Sequence, residues 1–358
     1  MIEITDSFIL NRVPSRSFDA CILVNQNEPL VVDRISFSDE LSPGQVLVKV
    51  ISTAICGSQV GEISGIKGND PYLPHLLGHE ALVQIENSMD CPFLEDGDFA
   101  IAHWISNSGR SGGPVQYSRA GAVVNAGEIA TFTQYALISE SRLTRIPSSI
   151  LDTFSTNLLA TIGCSFLTAN GVIRNDIGIT NTQEMLLIGA GGVCQAMIAL
   201  LASLGTYNVT VVDPSEIRRN YVRRLGVQKV YAHIDELRSS NQRFSSVVDF
   251  TGRSYEIEQG YDYLSDIGVL ALVGVSKYNQ RVSINPMPLH YGKKIVGVFG
   301  GQAKPSEDIP FILSELSKIE EILEALEYKT MSLNEINSGV DLVSQASFPG
   351  RIILEPFQ

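Results

Sequence analysis

The chain has 358 residues, enough for two domains at roughly 100–200 residues each. Hydrophobic residues make up 44% and charged residues 18%, which excludes a disordered or fibrous protein. The net charge of −13 would repel a nucleic acid, so we expect no nucleic-acid partner. The apolar stretches are too short or too interrupted by glycine to span a bilayer, and the N-terminus lacks the extended apolar core of a secretory signal. We therefore expect a cytoplasmic protein without membrane contact.

The first part of the chain is predicted to be rich in short strands. From Val31 to about Ile150, apolar or alternating runs of four to eight residues lie between turn signals such as Ser42-Pro43-Gly44 and Asp96-Gly97-Asp98. Within this part, Ser106–Gly127 is weakly patterned, and we expect a long loop there, of a kind that is often functional.

After Pro147 the pattern changes to apolar strands that alternate with helices, which predicts a parallel, doubly wound sheet. The predicted helices are Phe154–Val172, Val193–Leu204, Ser215–Leu225 and helices within Asp308–Leu326. The predicted strands are Glu184–Ile188, Val209–Val212, Lys229–Tyr231, Ser246–Phe250, Val269–Val273 and Lys294–Val298. The last twelve residues return to strand, which we expect to rejoin the first domain.

A glycine-rich turn follows the strand at Glu184–Ile188. Gly189 would make the tight turn, Gly191 would let the backbone approach a pyrophosphate, and the helix that begins near Gly192 and Val193 would offer its N–H groups to the phosphates. Cys194 stands at the third fingerprint position, where a small residue is needed for helix–strand packing. This pattern predicts a dinucleotide site, the alternative being a purely structural turn.

An acidic residue, Asp213, ends the next strand 24 residues after Gly189, where a carboxylate receives the ribose hydroxyls of the dinucleotide. A carboxylate there would repel a 2′-phosphate and so favours NAD over NADP. Four arginines follow, either as a solvated helix face or as groups that partly reverse this preference: Arg218, Arg219, Arg223 and Arg224.

Five cysteines, widely spaced and odd in number, argue against a disulfide framework. Cys21 and Cys91 are interpreted as small buried hydrophobes. Cys56 in TAICGSQV, His79 in LLGHEALV and Cys164 in ATIGCSFL have more informative contexts. In this order and ahead of GAGGVC, they resemble the zinc-containing medium-chain alcohol dehydrogenase family. The resemblance includes Gly97-Asp98, Phe299-Gly300-Gly301 and Pro349-Gly350-Arg351, and so covers nearly the whole chain.

This resemblance implies a fold and a ligand set. The fold would be a GroES-like β-barrel catalytic domain (residues 1–165 and 299–358) joined to a Rossmann domain (residues 166–298). One catalytic Zn²⁺ would be held by Cys56, His79 and Cys164, with Glu80 beside it and an open position for substrate. Ser58 would hydrogen-bond the substrate oxygen. The predicted cofactor-binding residues are Gly189, Gly191, Gly192, Val193, Asp213, Arg218, Gly274, Val275 and Arg351.

The chain also departs from its apparent relatives. It has no Cys between Pro92 and Gly163, where many relatives bind a second, structural zinc through four cysteines, so we predict one metal per chain. Gly61 stands where some relatives place a proton-relay histidine. Gln59 replaces the usual Asp, which in relatives pairs with the arginine matching Arg351, so the partner of Arg351 is left open. The replacement loop carries Arg110 and Arg119 and is either a substrate entrance, a subunit contact or a solvated loop.

Two neighbouring residues have both functional and structural interpretations. His103 and Trp104 follow a predicted strand near the mouth of the barrel-like domain, where they could contact a substrate or simply pack. No role is assigned to His75, His233 or His290. By resemblance, we expect a homodimer or homotetramer that pairs near Val269–Val275 and Lys277–Pro286.

The predicted function is oxidation of a secondary alcohol by NAD. The Cys56-Gly57-Ser58 sequence and the polar loop resemble polyol and sugar dehydrogenases, so the predicted small-molecule substrate is a sugar, polyol or cyclitol, either free, phosphorylated or nucleotide-linked. The alternatives are a carbonyl or enone reductase that uses NADH or NADPH, and a catalytically silent NAD-binding sensor or scaffold.

Overall fold

A computed structural model describes residues 16–37, 41–178, 184–206, 208–240 and 242–358. Its strands are β1 (Ser17–Leu23), β2 (Val31–Ser36), β3 (Gln45–Ala54), β4 (His75–Leu76), β5 (Ala81–Asn87), β6 (Phe99–Ala102), β7 (Val115–Arg119), β8 (Ala122–Ala126), β9 (Tyr135–Ser139), β10 (Leu143–Ile146), β11 (Met185–Ile188), β12 (Val209–Val212), β13 (Lys229–Tyr231), β14 (Phe244–Asp249), β15 (Leu264–Leu272), β16 (Lys294–Gly297), β17 (Tyr328–Met331) and β18 (Arg351–Leu354). The α-helices are α1 (Gly57–Ile63), α2 (Thr156–Leu159), α3 (Leu167–Gly171), α4 (Gly192–Ser203), α5 (Glu216–Arg224), α6 (Ser254–Asp262), α7 (Pro305–Leu316), α8 (Glu320–Ala325) and α9 (Ile336–Ser344).

Short 3₁₀ and π segments complete the helical structure. The 3₁₀ segments are Glu140–Arg142, Ser148–Asp152, Ile234–Ser240, Met287–Tyr291, Gly300–Gln302 and Leu333–Glu335. Two π-helical segments, Ile162–Phe166 and Val172–Ile177, flank α3. The helix predicted over Phe154–Val172 is therefore present but interrupted by π turns, which often occur at functional sites.

The first part of the chain forms a barrel and a neighbouring sheet. The closed barrel has the strand order β1-β2-β7-β8-β4, and the sheet has the order β10-β6-β5-β3-β18-β17, with β9 also paired to β3. β3 is the longest strand and is almost wholly buried, as its apolar sequence QVLVKVISTA requires. The C-terminal strand β18 pairs antiparallel with β3, so the end of the chain rejoins the first part as expected.

The second part is a parallel sheet of six strands in the order β13-β12-β11-β14-β15-β16. Because all strands run the same way, the residues that follow β11, β12, β14 and β15 meet at one edge of the sheet, the usual ligand edge of such folds. The predicted doubly wound α/β fold is confirmed. The division between residues 165 and 166 and between 298 and 299 remains a prediction.

The prediction of a long loop over Ser106–Gly127 is wrong for the second half of this segment, which forms the β7–β8 hairpin of the barrel. The alternation of apolar and polar residues that indicates a strand is present in the sequences VQYSR and AVVNA. The two residues between the strands, Ala120 and Gly121, have φ of 48° and 87°, the positive values that two-residue hairpin turns favour. Alanine at the first turn position concealed this signal, since asparagine, aspartate or glycine is usual there.

Among the described residues, no helix is both long and apolar enough to cross a bilayer.

Candidate metal and cofactor site

Three separate parts of the first domain bring four metal-binding side chains together. Cys56 is the N-cap residue of α1, His79 and Glu80 immediately precede β5, and Cys164 lies in the π segment Ile162–Phe166. Their ligand atoms all lie within 4.8 Å of one another. The three predicted ligands and the predicted neighbouring carboxylate therefore form one cluster.

Glycine at position 163 lets Cys164 reach this cluster. A Cβ on Gly163 would lie only 2.1 Å from the carbonyl oxygen of Ala102 at the end of β6. Only glycine allows the π-helical segment to approach the strand so closely, which brings the next residue, Cys164, against the other ligands.

The cluster fits a metal ion. The Nε2 atom of His79 and the Oε2 atom of Glu80 are buried and have no hydrogen-bond partner within the described part of the chain. Leaving buried polar atoms unpaired costs about 1–3 kcal/mol each, unless a bound group satisfies them. Two cysteine sulfurs and an imidazole are the soft ligand set that zinc prefers, with Zn–S and Zn–N bonds of about 2.3 and 2.0 Å.

The side chains of the cluster alter each other's protonation. The pKa of Cys56 lies well below its usual value because the Cys164 thiol donates a hydrogen bond to its sulfur, with a further contribution from the His79 imidazole. The same bond, together with burial, raises the pKa of Cys164 well above its usual value. A metal ion bound to both sulfurs would displace the proton of this hydrogen bond.

Glu80 has a partner from the far end of the chain. Its side chain is 0% exposed, and its Oε1 atom accepts a hydrogen bond from Nη2 of Arg351. Burial raises the pKa of Glu80 to about 7 against the opposing effect of the Arg351 charge. The partner of Arg351, left open by the sequence, is thus Glu80.

A cleft of about 470 Å³ runs from the cluster to the glycine turn, within the usual size range of small-molecule sites. It is lined on one side by residues that include Cys56, Ser58 and Arg351, and on the other by Gly191 and Gly274. The remaining predicted residues that line it are Gly192, Val193, Arg218 and Val275. The parallel-sheet edge and one residue of the metal cluster, Cys56, therefore face a common cavity.

Each glycine of the turn has its own steric reason. Gly189 has a φ of 94°, which favours glycine and makes the tight turn. At Gly191 a Cβ would meet no atom within 4 Å, so this position is open to a ligand. At Gly192 a Cβ would lie 2.6 Å from Cδ of Arg351, so this glycine also makes room for the arginine.

Asp213 and the arginines occupy more specific places than the sequence indicated. The Asp213 carboxylate is 3% exposed and accepts hydrogen bonds from the backbone N–H groups of Ala190 (2.7 Å) and Ser215 (2.8 Å), so it braces the glycine turn. Three of the four arginines bind within the protein: Arg219 to the Asp213 and Pro214 carbonyls, Arg223 to Asn220 and the Val230 carbonyl, and Arg224 to Glu327. Among the four, Arg218 lines the cleft.

The sequence models of two known domains match this chain. The alcohol dehydrogenase GroES-like domain matches residues 42–148, and the zinc-binding dehydrogenase domain matches residues 192–318. This chain belongs to the zinc-containing medium-chain alcohol dehydrogenase family. It is therefore an oxidoreductase with the predicted GroES-like and Rossmann architecture.

Related proteins match this medium-chain dehydrogenase over almost its whole length. A class-P alcohol dehydrogenase of Arabidopsis thaliana is 22% identical and covers 90% of this chain and 93% of its own length. The crystal structure of a benzyl alcohol dehydrogenase from Acinetobacter calcoaceticus has a TM-score of 0.81 at 21% identity, covering 95% of this chain and 99% of that one. An acetophenone reductase from Geotrichum candidum, in complex with NAD, has a TM-score of 0.77 at 17% identity, covering 97% and 99%.

Ion pairs hold the segment in which this dehydrogenase lacks the four cysteines of many relatives. Arg110 binds Asp90 (2.7 Å) and Glu140 (2.9 Å), and Arg119 binds Asp33 (2.8 Å). Both arginines of the loop are therefore engaged within the chain, and they tie the segment to the strands around it.

His103 is not at an open barrel mouth, as the functional interpretation required. It is fully buried, with Nδ1 2.7 Å from the Ile105 carbonyl and Nε2 3.0 Å from the Thr144 hydroxyl. Burial lowers its pKa to about 4. Trp104 packs edge-on against Phe299 at 4.9 Å between ring centroids. The packing interpretation holds for His103 because both ring nitrogens are engaged by the protein.

Two basic residues that the sequence analysis missed, Lys67 and Arg253, also line the cleft. No local motif marks either one. The positions depend on how the loop after α1 and the turn after β14 return to the same cleft, and sequence spacing does not show that. Gly61 lines the cleft as well, and a Cβ there would lie 2.9 Å from Cγ2 of Ile66, so a larger residue would displace that side chain.

Proposed function

We propose that this protein is a zinc-dependent dehydrogenase that oxidises a secondary alcohol of the sugar, polyol or cyclitol type with NAD. One observation carries the proposal: the unpartnered Nε2 of His79 lies with two cysteine sulfurs beside the cleft that also contains the glycine turn. A metal site and a dinucleotide site that share one cleft suit hydride transfer.

Cys56, His79 and Cys164 would hold the zinc, which when bound supplies a Lewis acid that lowers the pKa of an alcohol. The Ser58 hydroxyl lies in the cleft, 3.5 Å from the Cys56 sulfur. It can accept the proton of a substrate hydroxyl while it passes its own proton on. Glycine at position 61 offers no side chain that could act as a base, so Ser58 is the proposed first proton acceptor.

The preference for NAD is proposed from the charge of Asp213. Its carboxylate lies directly under the glycine turn, where it disfavours a second anionic group. Arg218 would favour NADP instead, because its charge attracts an anionic group. Its Nε atom is buried without a partner among the described residues and so could bind one. Comparing the Kd of NADH and NADPH by nicotinamide fluorescence tests the preference, and tighter NADPH binding would overturn it.

The substrate class is supported by the Cys56-Gly57-Ser58 sequence and by the ion-paired polar segment in place of a cysteine-rich one. A second candidate function, carbonyl reduction with a reduced cofactor, uses the same residues in the opposite direction. Assays in both directions distinguish the two.

We also propose a cytoplasmic homodimer or homotetramer. Several large apolar side chains of the cofactor domain are exposed, among them Ile267 (78%) and Tyr291 (75%), and they lie next to the edge strand β16. An exposed apolar patch beside an unpaired strand edge is typical of a subunit contact.

The proposal is tested by a screen of polyols, free sugars and cyclitols with NAD and NADP on the zinc-loaded protein, read at the nicotinamide absorbance. We expect turnover with at least one compound. Cys164→Ala should lose this turnover, whereas Cys194→Ala, the matched control, should keep it. Full turnover in Cys164→Ala would refute the metal's role, and reduction of ketones without any alcohol oxidation would favour the second candidate.

A further inference from the structure

A second, larger cavity lies on the opposite side of helix α1 from the cofactor cleft. It has a volume of about 690 Å³, and no residue in the described part of the chain lines both cavities. Gln59 and Glu62 of α1 face the second cavity, whereas Ser58 and Gly61 of the same helix face the cleft. The helix is therefore the wall between two separate spaces, each of a size that suits a small molecule.

The charges in this second cavity are balanced within the protein. Asp70 lies 2.7 Å from Nε2 of His75, and Glu62 lies 3.4 Å from the Lys67 ammonium. Nδ1 of His75 lies 2.8 Å from the Leu76 carbonyl, so both ring nitrogens are engaged within the protein. The charged groups of this wall are therefore paired with one another.

One amide group in this wall has a donor that the described part of the protein does not use. Gln59 is 2% exposed, and its Oε1 accepts a hydrogen bond from the Cys56 backbone N–H at 3.4 Å. Its Nε2 group has no hydrogen-bond partner within the described part of the chain, although Gln59 lines the cavity. An amide N–H₂ group that faces an open space can donate to a bound molecule. The amide of Gln116 lies on the same wall and uses only its nitrogen, in a bond to Asn125.

Apolar side chains form the remaining wall, among them Leu76, Leu77 and Ile129. Paired carboxylates, amide donors and acceptors and an apolar face together match a molecule that has both hydroxyl groups and C–H surface. They do not match an anion, because the cationic groups Lys67 and His75 are already paired.

We propose that this cavity binds a small, uncharged polyhydroxylated molecule, a free sugar or polyol, at a site distinct from the cofactor cleft. His79 also lines this cavity, so the bound molecule would lie against a residue of the metal cluster. The inference does not depend on which substrate the enzyme oxidises, because it rests on the second cavity alone.

Isothermal titration calorimetry tests the proposal directly. The zinc-loaded protein, saturated with NADH, is titrated with glycerol, sorbitol, myo-inositol and glucose at millimolar concentrations. We expect binding of at least one of them, weakened at least about tenfold by Gln116→Leu or by Ile129→Phe, which narrows the cavity. Ser118→Leu, on the same strand but outside the cavity, is the matched control and should bind as the unmodified protein does.

Ser58→Ala separates the two cavities, since it alters the cleft alone and should leave this binding unchanged. Absence of binding by all four compounds would overturn the proposal, as would binding lost in Ser58→Ala but kept in both cavity variants. NADH fluorescence and the Tm of each variant show that it is folded. Because calorimetry needs no turnover, the result is independent of the dehydrogenase assay.

Discussion

The guanidinium of Arg351 forms an ion pair with the buried carboxylate of Glu80, from which it is separated by 271 positions in the chain. The same arginine packs against Gly192 of the glycine turn, where a Cβ would lie 2.8 Å from its Nη1 atom. One side chain of the C-terminal strand thus connects the metal cluster to the cofactor turn. Removing it should affect both.

Replacing Arg351 with alanine would leave Glu80 buried without a partner. Breaking a buried ion pair in this way costs about 3–5 kcal/mol, so we expect the free energy of unfolding in urea to fall by that amount and NADH to bind more weakly. Arg145→Ala, which removes the exposed pair with Asp98 at 2.8 Å, is the control and should change stability by at most about 1 kcal/mol. Equal effects of the two substitutions would contradict a buried pair.

Two neighbouring glycines should respond differently to alanine. Gly192→Ala forces Arg351 to move, so we expect lower stability together with weaker NADH binding. Gly191→Ala meets open space inside the protein and should cost no more than about 1 kcal/mol at this N-cap. It should still weaken NADH binding, because its methyl group enters the cleft. Urea unfolding and NADH fluorescence measure the two effects, and unchanged NADH affinity in Gly191→Ala would show that the cofactor binds elsewhere.

The zinc content of the purified protein should be about one equivalent per chain, since Cys56, His79 and Cys164 form one set of three ligands. Cys164→Ser should reduce it severalfold, because the hydroxyl is a far poorer zinc ligand than a thiolate. Cys91→Ser, outside the cluster, should keep its zinc. Elemental analysis after dialysis against a chelator measures the zinc content of each variant. Equal zinc in the two variants would exclude Cys164 as a ligand.

Stability should depend on pH through His103. Its pKa is about 4 in the folded protein, below the usual 6.5, because burial disfavours the imidazolium. Between these values the unfolded chain binds more protons than the folded one, so the free energy of unfolding falls as the pH is lowered. The difference corresponds to roughly 3 kcal/mol between pH 7 and pH 4.

His103→Gln should flatten this dependence, since glutamine keeps a donor and an acceptor but does not titrate in this range. Urea unfolding at several pH values measures it, and the exposed His233→Gln is the control. Loss of zinc on acidification affects both variants alike, so the comparison between them isolates His103. An unchanged slope in His103→Gln would show that other groups carry the pH dependence.

The apolar patch near β16 should mediate self-association. Ile267→Glu or Tyr291→Glu is expected to shift the molar mass in multi-angle light scattering from that of an oligomer to that of a monomer. Phe93→Glu is the control, because Phe93 is equally exposed (68%) but belongs to the first domain. A monomer in the unmodified protein would refute the proposed assembly.

The sequence predicted the elements of the second domain closely, because its helices and strands carry strong local periodicity. The helix predicted over Val193–Leu204 is observed as Gly192–Ser203, and the strand predicted over Val209–Val212 has those bounds. The β7–β8 hairpin was missed because alanine occupies a turn position that usually carries a stronger signal. Helix α6 (Ser254–Asp262) was also missed, since its sequence SYEIEQGYD has few apolar residues to set a period.

By itself, the sequence determined the family, the three expected metal ligands and the glycine turn, because each of these is a local pattern of particular residue types. Only the tertiary structure decided what those residues contact. It shows that Glu80 pairs with Arg351 and that Asp213 is buried under the glycine turn. It also shows that His103 is enclosed and that a second cavity lies behind helix α1. These relationships join segments that lie far apart in the chain, and they follow from the packing of whole elements, which local spacing does not encode.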